Sequence, residues 1–149
     1  FELVTSLIER YQEEIKLSDT EVKVEIENNE IYGNWDPIRV EQSISNILMN
    51  AMKYAQGKEV TVSVRMVSSW AAISIKDKGK GIKDEHLKTI FEPFKRLNED
   101  HSAEGLGVGL FIAKQIAKAH GGDISVESKL GEGTTFTIWL PALIEYSTG

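Results

Sequence analysis

The length, composition and charge of this chain restrict it to a few protein classes. Its 149 residues fit one ordinary globular domain, and 41% hydrophobic with 27% charged residues excludes a disordered or fibrous chain. The net charge of −6 argues against broad electrostatic binding to nucleic acid or to an anionic membrane. The chain has no cysteine and therefore no disulfide framework, which is compatible with a reducing cytosol. We expect a cytoplasmic domain without direct membrane contact.

In the first part of the chain, hydrophobic periodicity predicts a helix, two short strands and a long helix. Asp36 followed by Pro37 is typical of a helix N-terminus, and the long helical pattern begins there. The four predicted elements cover residues 2–16 (helix), 22–27 and 30–35 (strands) and 37–55 (helix).

The rest of the chain predicts a strand hairpin, a short helix, a mobile loop, a further helix and a final hairpin. These elements cover residues 60–66 and 71–75 (strands), 84–91 (helix), 92–104 (loop), 108–120 (helix), and 123–128 and 134–140 (strands). The order predicts an α+β fold in one domain over residues 1–149. The predicted architecture is a two-layer α/β sandwich, with helices packed on one face of a mixed, mainly antiparallel sheet.

Three polar residues on the long helix indicate a site for a metal-bound polyphosphate. Asn46, Asn50 and Lys53 are four and then three residues apart, so their side chains share one stripe beside the apolar face. Amide oxygens suit magnesium and an ammonium suits phosphate. A solvated helix face would carry the same residues, and on this pattern alone that is the commoner case.

Asp77 continues the inward alternation of the strand that precedes it, which predicts a carboxylate on the core side. A buried carboxylate requires a partner, and the exocyclic amine of adenine is one candidate. Gly79 and Gly81 follow at once and would allow a ligand to approach the backbone. An ordinary Asp-Gly turn is an equally good explanation of this segment.

Alternating glycines precede the helix predicted at 108–120. Gly105, Gly107 and Gly109 lie where free backbone N–H groups favour phosphate, although a flexible hinge would have the same sequence. The three histidines lack metal-ligand spacing, so we expect surface roles for His86, His101 and His120.

Taken in order, five segments resemble the motifs of the catalytic domain of sensor histidine kinases. This family is a branch of the Bergerat-fold ATPase and kinase superfamily, which also contains DNA gyrase and MutL. The matching segments are QSISNILMNAMKYA (N box), DKGKGI (first glycine box), FEPFKR (F box), GLGVGL (second glycine box) and GEGTTF (last glycine box).

The resemblance implies that ATP and Mg²⁺ are the ligands and gives each site residue a role. Asn50 would coordinate the metal with support from Asn46, Lys53 would contact phosphate, and Tyr54 would stack near the adenine, whose amine Asp77 would read. The other implied ligand contacts are Gly79, Gly81, Ile82 and Thr134 at the base and Gly105, Leu106, Gly107, Val108, Gly109 and Leu110 at the phosphates.

The segment at 92–104 would be an ATP lid by the same resemblance. Phe91 and Phe94 would anchor it, and Arg96 would contact the terminal phosphate. The chain departs from the family pattern at Lys78 and Leu106, where smaller polar residues are commoner. Side-chain hydroxyl contacts from these two positions are therefore not expected.

One difference within the superfamily separates kinases from hydrolases. The gyrase-like members resemble one another in placing a water-activating glutamate one turn before the metal asparagine, where this chain has Asn46. An amide is not a general base, so we expect ATP to be held for transfer to another acceptor.

The resemblance also implies the partners. The acceptor histidine would lie on a dimeric helical domain ahead of residue 1, and a response regulator would act downstream. The isolated domain would be a monomer within a homodimeric full-length protein, which could carry a membrane anchor elsewhere. Two alternatives stay open: a serine or other protein kinase of the same fold, and a nucleotide-binding interaction module without transfer.

Overall fold

The computed structural model describes residues 2–27, 31–55, 58–93 and 108–143, without the side chain of Tyr54. These residues form two layers, a five-stranded sheet and a layer of helices on one of its faces. The helices are α1 (Glu2–Arg10), α2 (Gln12–Leu17), α3 (Pro37–Ala55), α4 (Asp84–Leu87) and α5 (Gly109–Ala119). The strands are β1 (Val22–Ile26), β2 (Val60–Val67), β3 (Trp70–Asp77), β4 (Asp123–Lys129) and β5 (Gly133–Pro141).

The sheet is mixed and mainly antiparallel, as the sequence predicted. Its strand order is β1-β2-β3-β5-β4, with only the β1–β2 pair parallel. The parallel pair needs a crossover connection, which α3 provides. In the centre of the sheet, Asp77 lies opposite Val60 on β2 and opposite Thr134 on β5.

The core lies between the sheet and the helices α3 and α5. Burial of each large aliphatic side chain here contributes about 1.5–3 kcal/mol. The two helices are also joined by a buried hydrogen bond, in which the Ser43 hydroxyl donates to the Ala113 carbonyl at 3.0 Å. The fully buried side chains include Val40, Ile44, Ile47 and Leu48 on α3, Val60 and Val62 on β2, Ile75 on β3 and Phe136, Ile138 and Leu140 on β5.

The helix predicted over 2–16 is wrong in one respect, because the structure breaks it at Tyr11. There the backbone leaves helical geometry, with φ −98° and ψ 16°. The reason lies in the packing: α1 buries Val4 and Leu7, whereas α2 has no buried residue. α2 packs against the core through the partly buried Ile15, so tertiary contacts fix its direction less firmly than that of α1.

The strand predicted over 30–35 is wrong where the structure describes it. Residues 31–35 form no strand, and their polar groups bond to the end of β5. The Tyr32 carbonyl accepts from the Leu143 N–H at 2.7 Å, and the Trp35 indole donates to the Pro141 carbonyl at 2.8 Å. The helix predicted over 84–91 is shorter than expected, since α4 ends at Leu87 and turns follow it.

Two glycines permit a close approach between strand ends near Asp77. Gly133 has φ +118°, and a Cβ there would lie 2.1 Å from the Asp77 carbonyl oxygen. Gly81 has φ +81°, and a Cβ would lie 2.2 Å from the Lys129 carbonyl oxygen. Side chains at these positions would therefore push the loop after β3 away from the β4–β5 turn. Within the described ranges, no helix combines the length and apolar character that a membrane span requires.

Replacement of Gly133 by alanine should destabilise the fold far more than the same change at Gly131. Gly131 also has positive φ, +82°, but a Cβ there would meet nothing within 4 Å. We expect Gly131→Ala to cost about 1–2 kcal/mol for the backbone conformation alone. Gly133→Ala should add roughly 1–3 kcal/mol for overpacking against the backbone of Asp77. Urea unfolding measures both, and equal losses would contradict the close approach.

Candidate functional site

A cavity of about 260 Å³ opens where β3 ends and β5 begins, beside α3. This volume is near the lower end of the range of small-molecule sites, which begins at roughly 300 Å³. The structure brings five of the predicted site residues together in its wall: Asn50, Asp77, Gly81, Ile82 and Thr134. The wall also contains five residues that were not predicted as ligand contacts: Lys80, Lys83, His86, Leu130 and Phe136.

Asp77 lies at the base of this cavity, at the end of β3, and only 2% of its surface is exposed. Its Oδ1 accepts a hydrogen bond from the Gly79 N–H at 2.8 Å. Burial raises the pKa of the Asp77 carboxyl above its usual 3.8, and the backbone N–H groups of Gly79 and Thr134 act in the opposite direction. A carboxylate has about four acceptor positions, so it retains capacity for a ligand donor.

The loop that follows Asp77 is fastened to the β4–β5 turn. The Lys80 carbonyl accepts from the Gly131 N–H at 2.8 Å, and Gly81 packs against the Lys129 backbone. The Ile82 N–H donates to the Ser128 hydroxyl at 2.8 Å. Gly81 therefore does more than line the cavity, since it takes part in holding the loop. Gly79, also predicted to line a base pocket, is not part of the cavity wall and instead donates its N–H to Asp77.

Ser128 is a further residue that the sequence analysis missed; it does not line the cavity but bonds to two residues that do, Ile82 and Thr134. Its Oγ lies 3.0 Å from the Gly133 carbonyl and 2.8 Å from the Thr134 Oγ1, in addition to its bond with Ile82. The available signal was the alternation of β4, because Ile124, Val126 and Ser128 all lie on the inward side of that strand. A polar residue ending an inward series, as at Asp77, marks the same edge of the sheet.

The polar stripe predicted on α3 is present, and its members have different surroundings. Asn50 is half-buried and lines the cavity, whereas Lys53 is exposed one turn later. The Asn46 amide nitrogen donates to the Gly109 carbonyl at 3.2 Å, which joins α3 to the first turn of α5. Because this bond uses the nitrogen, the Asn46 amide oxygen is the atom that could serve a cation.

The start of α5 is the only described part of the second glycine box. Val108 precedes the helix without a side-chain cap, Gly109 begins it, and Leu110 packs against the core. Missing caps leave first-turn N–H groups for other acceptors. The predicted site residues that lie outside the described part of the chain are Arg96, Gly105, Leu106 and Gly107, with the lid anchor Phe94 and the side chain of Tyr54.

Phe91, the other predicted lid anchor, packs against the cavity wall. Its ring meets Phe136 edge to face with a centroid distance of 6.0 Å, and the Lys114 ammonium lies 4.6 Å from its centroid. Since Phe136 lines the cavity, the segment that begins at Glu92 starts beside the site.

Two of the histidines for which surface roles were predicted are partly exposed and make specific contacts. His86 on α4 lines the cavity. The His120 Nδ1 bonds to the Ile116 carbonyl at 2.8 Å, and its Nε2 accepts from the Asp36 N–H at 3.1 Å. His120 therefore joins the end of α5 to the start of α3. His101 lies outside the described residues.

Comparison with known proteins agrees with this geometry. Residues 35–144 match the family model described as histidine kinase-, DNA gyrase B-, and HSP90-like ATPase. The sensor protein SrrB of Staphylococcus aureus (strain NCTC 8325 / PS 47) is 40% identical over 111 residues, which is 72% of this chain and 19% of SrrB. The chain thus spans about a fifth of that relative.

Solved structures show the same architecture. The mycobacterial sensor histidine kinase MprB is 30% identical, with a TM-score of 0.80 covering 93% of this chain and 95% of that one. The catalytic domain of histidine kinase ThkA, at 24% identity, shares the fold with a TM-score of 0.81 over 94% of this chain and 92% of its own. The chain therefore belongs to the histidine kinase-, DNA gyrase B- and HSP90-like ATPase family, and it is a histidine kinase catalytic, ATP-binding domain of the Bergerat fold.

Proposed function

We propose that this domain binds ATP with Mg²⁺ and donates the γ-phosphate to a histidine on a separate dimerisation domain, as one step of two-component signalling. The observation that carries this proposal is the composition of the cavity. It places a buried carboxylate, Asp77, and a half-buried amide, Asn50, in one wall lined also by apolar side chains. Such a cavity suits a flat heterocycle with an amino group and an anionic tail beside a cation.

The base would lie against Ile82, Leu130 and Phe136, the apolar members of the wall. Asp77 would accept a hydrogen bond from the exocyclic amine, which compensates a carboxylate that burial has removed from water. Guanine has a carbonyl oxygen at the corresponding position, and this oxygen would face the carboxylate without a proton between them. The domain should therefore prefer ATP to GTP.

The phosphate end would lie along the polar stripe of α3. Asn50 would supply an amide oxygen to the metal, Asn46 would support it, and Lys53 would contact phosphate. Bound Mg²⁺ would neutralise charge on the phosphate oxygens. The start of α5 would offer backbone N–H groups at Val108, Gly109 and Leu110.

The side chain of Tyr54 and the residues outside the described ranges complete the proposal as the family resemblance implies. Tyr54 would stack near the base, Gly105, Leu106 and Gly107 would surround the phosphates, and Arg96 would reach the terminal phosphate. In transfer, an imidazole nitrogen of the acceptor would form the new bond to phosphorus while the bond to the β-phosphate oxygen of ADP breaks.

Water should be a poor acceptor in this site. The residue one turn before Asn50 is Asn46, whose amide is already bonded to Gly109 and cannot remove a proton. The acceptor would therefore be a docked domain.

The chain spans 19% of SrrB, which is named a sensor protein, so the rest of such a protein would supply the acceptor domain, the homodimer contacts and any membrane anchor. A response regulator would then receive the phosphate.

Replacement of Asp77 by asparagine should abolish ATP binding without loss of stability at pH 7. The amide would present a donor to the adenine amine, while its Oδ1 could still accept from Gly79. Because burial raises the folded-state pKa of Asp77, protonation stabilises the parent fold below pH 3.8, and this contribution is lost as pH rises through the raised value. The free energy of unfolding of the parent, relative to that of the variant, should thus fall between pH 3.8 and the raised pKa of Asp77 and stay constant at higher pH.

Calorimetry with ATP and urea unfolding between about pH 3 and 7 measure both effects of the Asp77 change. Equal affinity of the parent for ATP and GTP would refute the role of Asp77 in base selection. A variant that binds ATP as tightly as the parent would do the same.

Replacement of Asn50 by alanine should remove most of the increase in ATP affinity that Mg²⁺ provides. Affinity for ADP in the absence of metal should change little, since the base contacts remain. Gln42→Ala is a matched control because Gln42 is an exposed amide on the same helix, away from the cavity. Titrations with and without Mg²⁺ give the comparison, and an unaltered magnesium dependence would move the metal site elsewhere, with Asn46 the first alternative.

The domain should bind ATP alone yet transfer phosphate only when the histidine-bearing domain of the same protein is added in trans. Radiolabelled ATP should give acid-labile label on the added domain, at a rate that rises with its concentration because the two must meet by diffusion. Asp77→Asn and an acceptor domain without its histidine are the controls. Label on this chain in the absence of the added domain would contradict the proposal.

A further inference from the structure

We propose that Ser128 is a positioning residue that fixes the direction of the Thr134 hydroxyl proton, so that the cavity presents two acceptors side by side, the Asp77 carboxylate and the Thr134 Oγ1. This pair would select a ligand with an amino group, which has two protons to donate. The inference rests on the proposed function, which supplies the amine of ATP as that group.

The hydrogen bonds of Ser128 determine the proton positions. Its Oγ contacts the Ile82 N–H at 2.8 Å, the Gly133 carbonyl at 3.0 Å and the Thr134 Oγ1 at 2.8 Å. The N–H can only donate and the carbonyl can only accept. If the serine proton goes to the Gly133 carbonyl, the Thr134 proton goes to Ser128, and all three contacts contain a hydrogen.

The opposite assignment is less favourable. If Ser128 donated to Thr134, its Oγ and the Gly133 carbonyl oxygen would lie 3.0 Å apart with no hydrogen between them. Two oxygens at this distance without a proton repel each other, and polar groups in protein interiors are generally satisfied. The geometry therefore favours Thr134 as a donor to Ser128.

Thr134 then has only lone pairs left for the cavity. It is 5% exposed, lines the cavity wall and lies directly opposite Asp77 in the β3–β5 register. Side chains at such paired positions have Cβ atoms about 4.5–5.5 Å apart, so both can meet one ligand edge. An amino group satisfies both acceptors, whereas a ligand with hydrogen or a carbonyl at that position leaves them unpaired.

The experiment compares ATP with its analogue that lacks the 6-amino group, purine riboside triphosphate. The parent should prefer ATP. In Ser128→Ala the threonine proton is no longer directed away from the cavity, so the preference should fall by roughly 3- to 10-fold, the effect of about one hydrogen bond. Ser128→Thr keeps a hydroxyl and should restore the preference. Ser125→Ala is the matched control, on the same strand but on the opposite face of the sheet.

If Ser128 had a purely structural role and only held the loop through Ile82, Ser128→Ala would weaken the binding of both nucleotides equally. The ratio of the two affinities would then be unchanged. That outcome would overturn the inference while the proposed function stands. If the parent binds neither nucleotide, the proposed function fails and the inference fails with it.

A second variant keeps the test decisive if Ser128→Ala folds poorly. Thr134→Val removes the hydroxyl with little change of shape and leaves Ser128 its bonds to Ile82 and Gly133. It should lower the preference for ATP by a similar factor. In a protein that already carries Thr134→Val, a further substitution of Ser128 that folds should leave the ratio of the two nucleotide affinities unchanged, because the hydroxyl proton that Ser128 would direct is absent. A further change in ratio there, or an undiminished preference in Thr134→Val, would contradict the inference.

Discussion

The pairing of β3 with β5 is the constraint on which the rest of the site depends. In this register Asp77 lies opposite Thr134, Ile75 opposite Phe136 and Ile73 opposite Ile138, so one inward face continues from the core into the cavity. A shift by one residue would reverse the face on which every side chain of one strand lies. The same shift would both expose the aliphatic residues and remove Asp77 from the cavity. The stability of the fold and the position of its buried carboxylate therefore have the same cause.

The contact between α3 and α5 is the second element of this arrangement. Ser43 and Asn46 both donate to carbonyls of α5, at Ala113 and Gly109 respectively. These bonds fix the height of α5 along α3, and with it the distance between its first turn and the stripe that contains Asn50. Asn46 thus has a structural task that is independent of any cation.

Much of the fold and part of the site could be predicted from local patterns. The inward position of Asp77 follows from strand alternation, and the stripe of Asn46, Asn50 and Lys53 follows from helical spacing. Patterns of this kind indicate the side of a helix or strand on which a residue lies, but they do not indicate which other parts of the chain it contacts. The strand predicted over 30–35 was wrong because its alternation does not show that those groups bond to the end of β5. Ser128 was missed because its three contacts come from a neighbouring strand and from a loop that is distant in sequence.

The fastening of the loop after Asp77 has an energetic consequence for binding. The bonds of Lys80 to Gly131 and of Ile82 to Ser128 order this loop within the protein itself. A ligand that enters there meets donors and acceptors already in place and loses little chain entropy on that side. Small ligands that occupy only the Asp77 end, such as a free base or nucleoside, should thus bind with unusually high efficiency for their number of atoms.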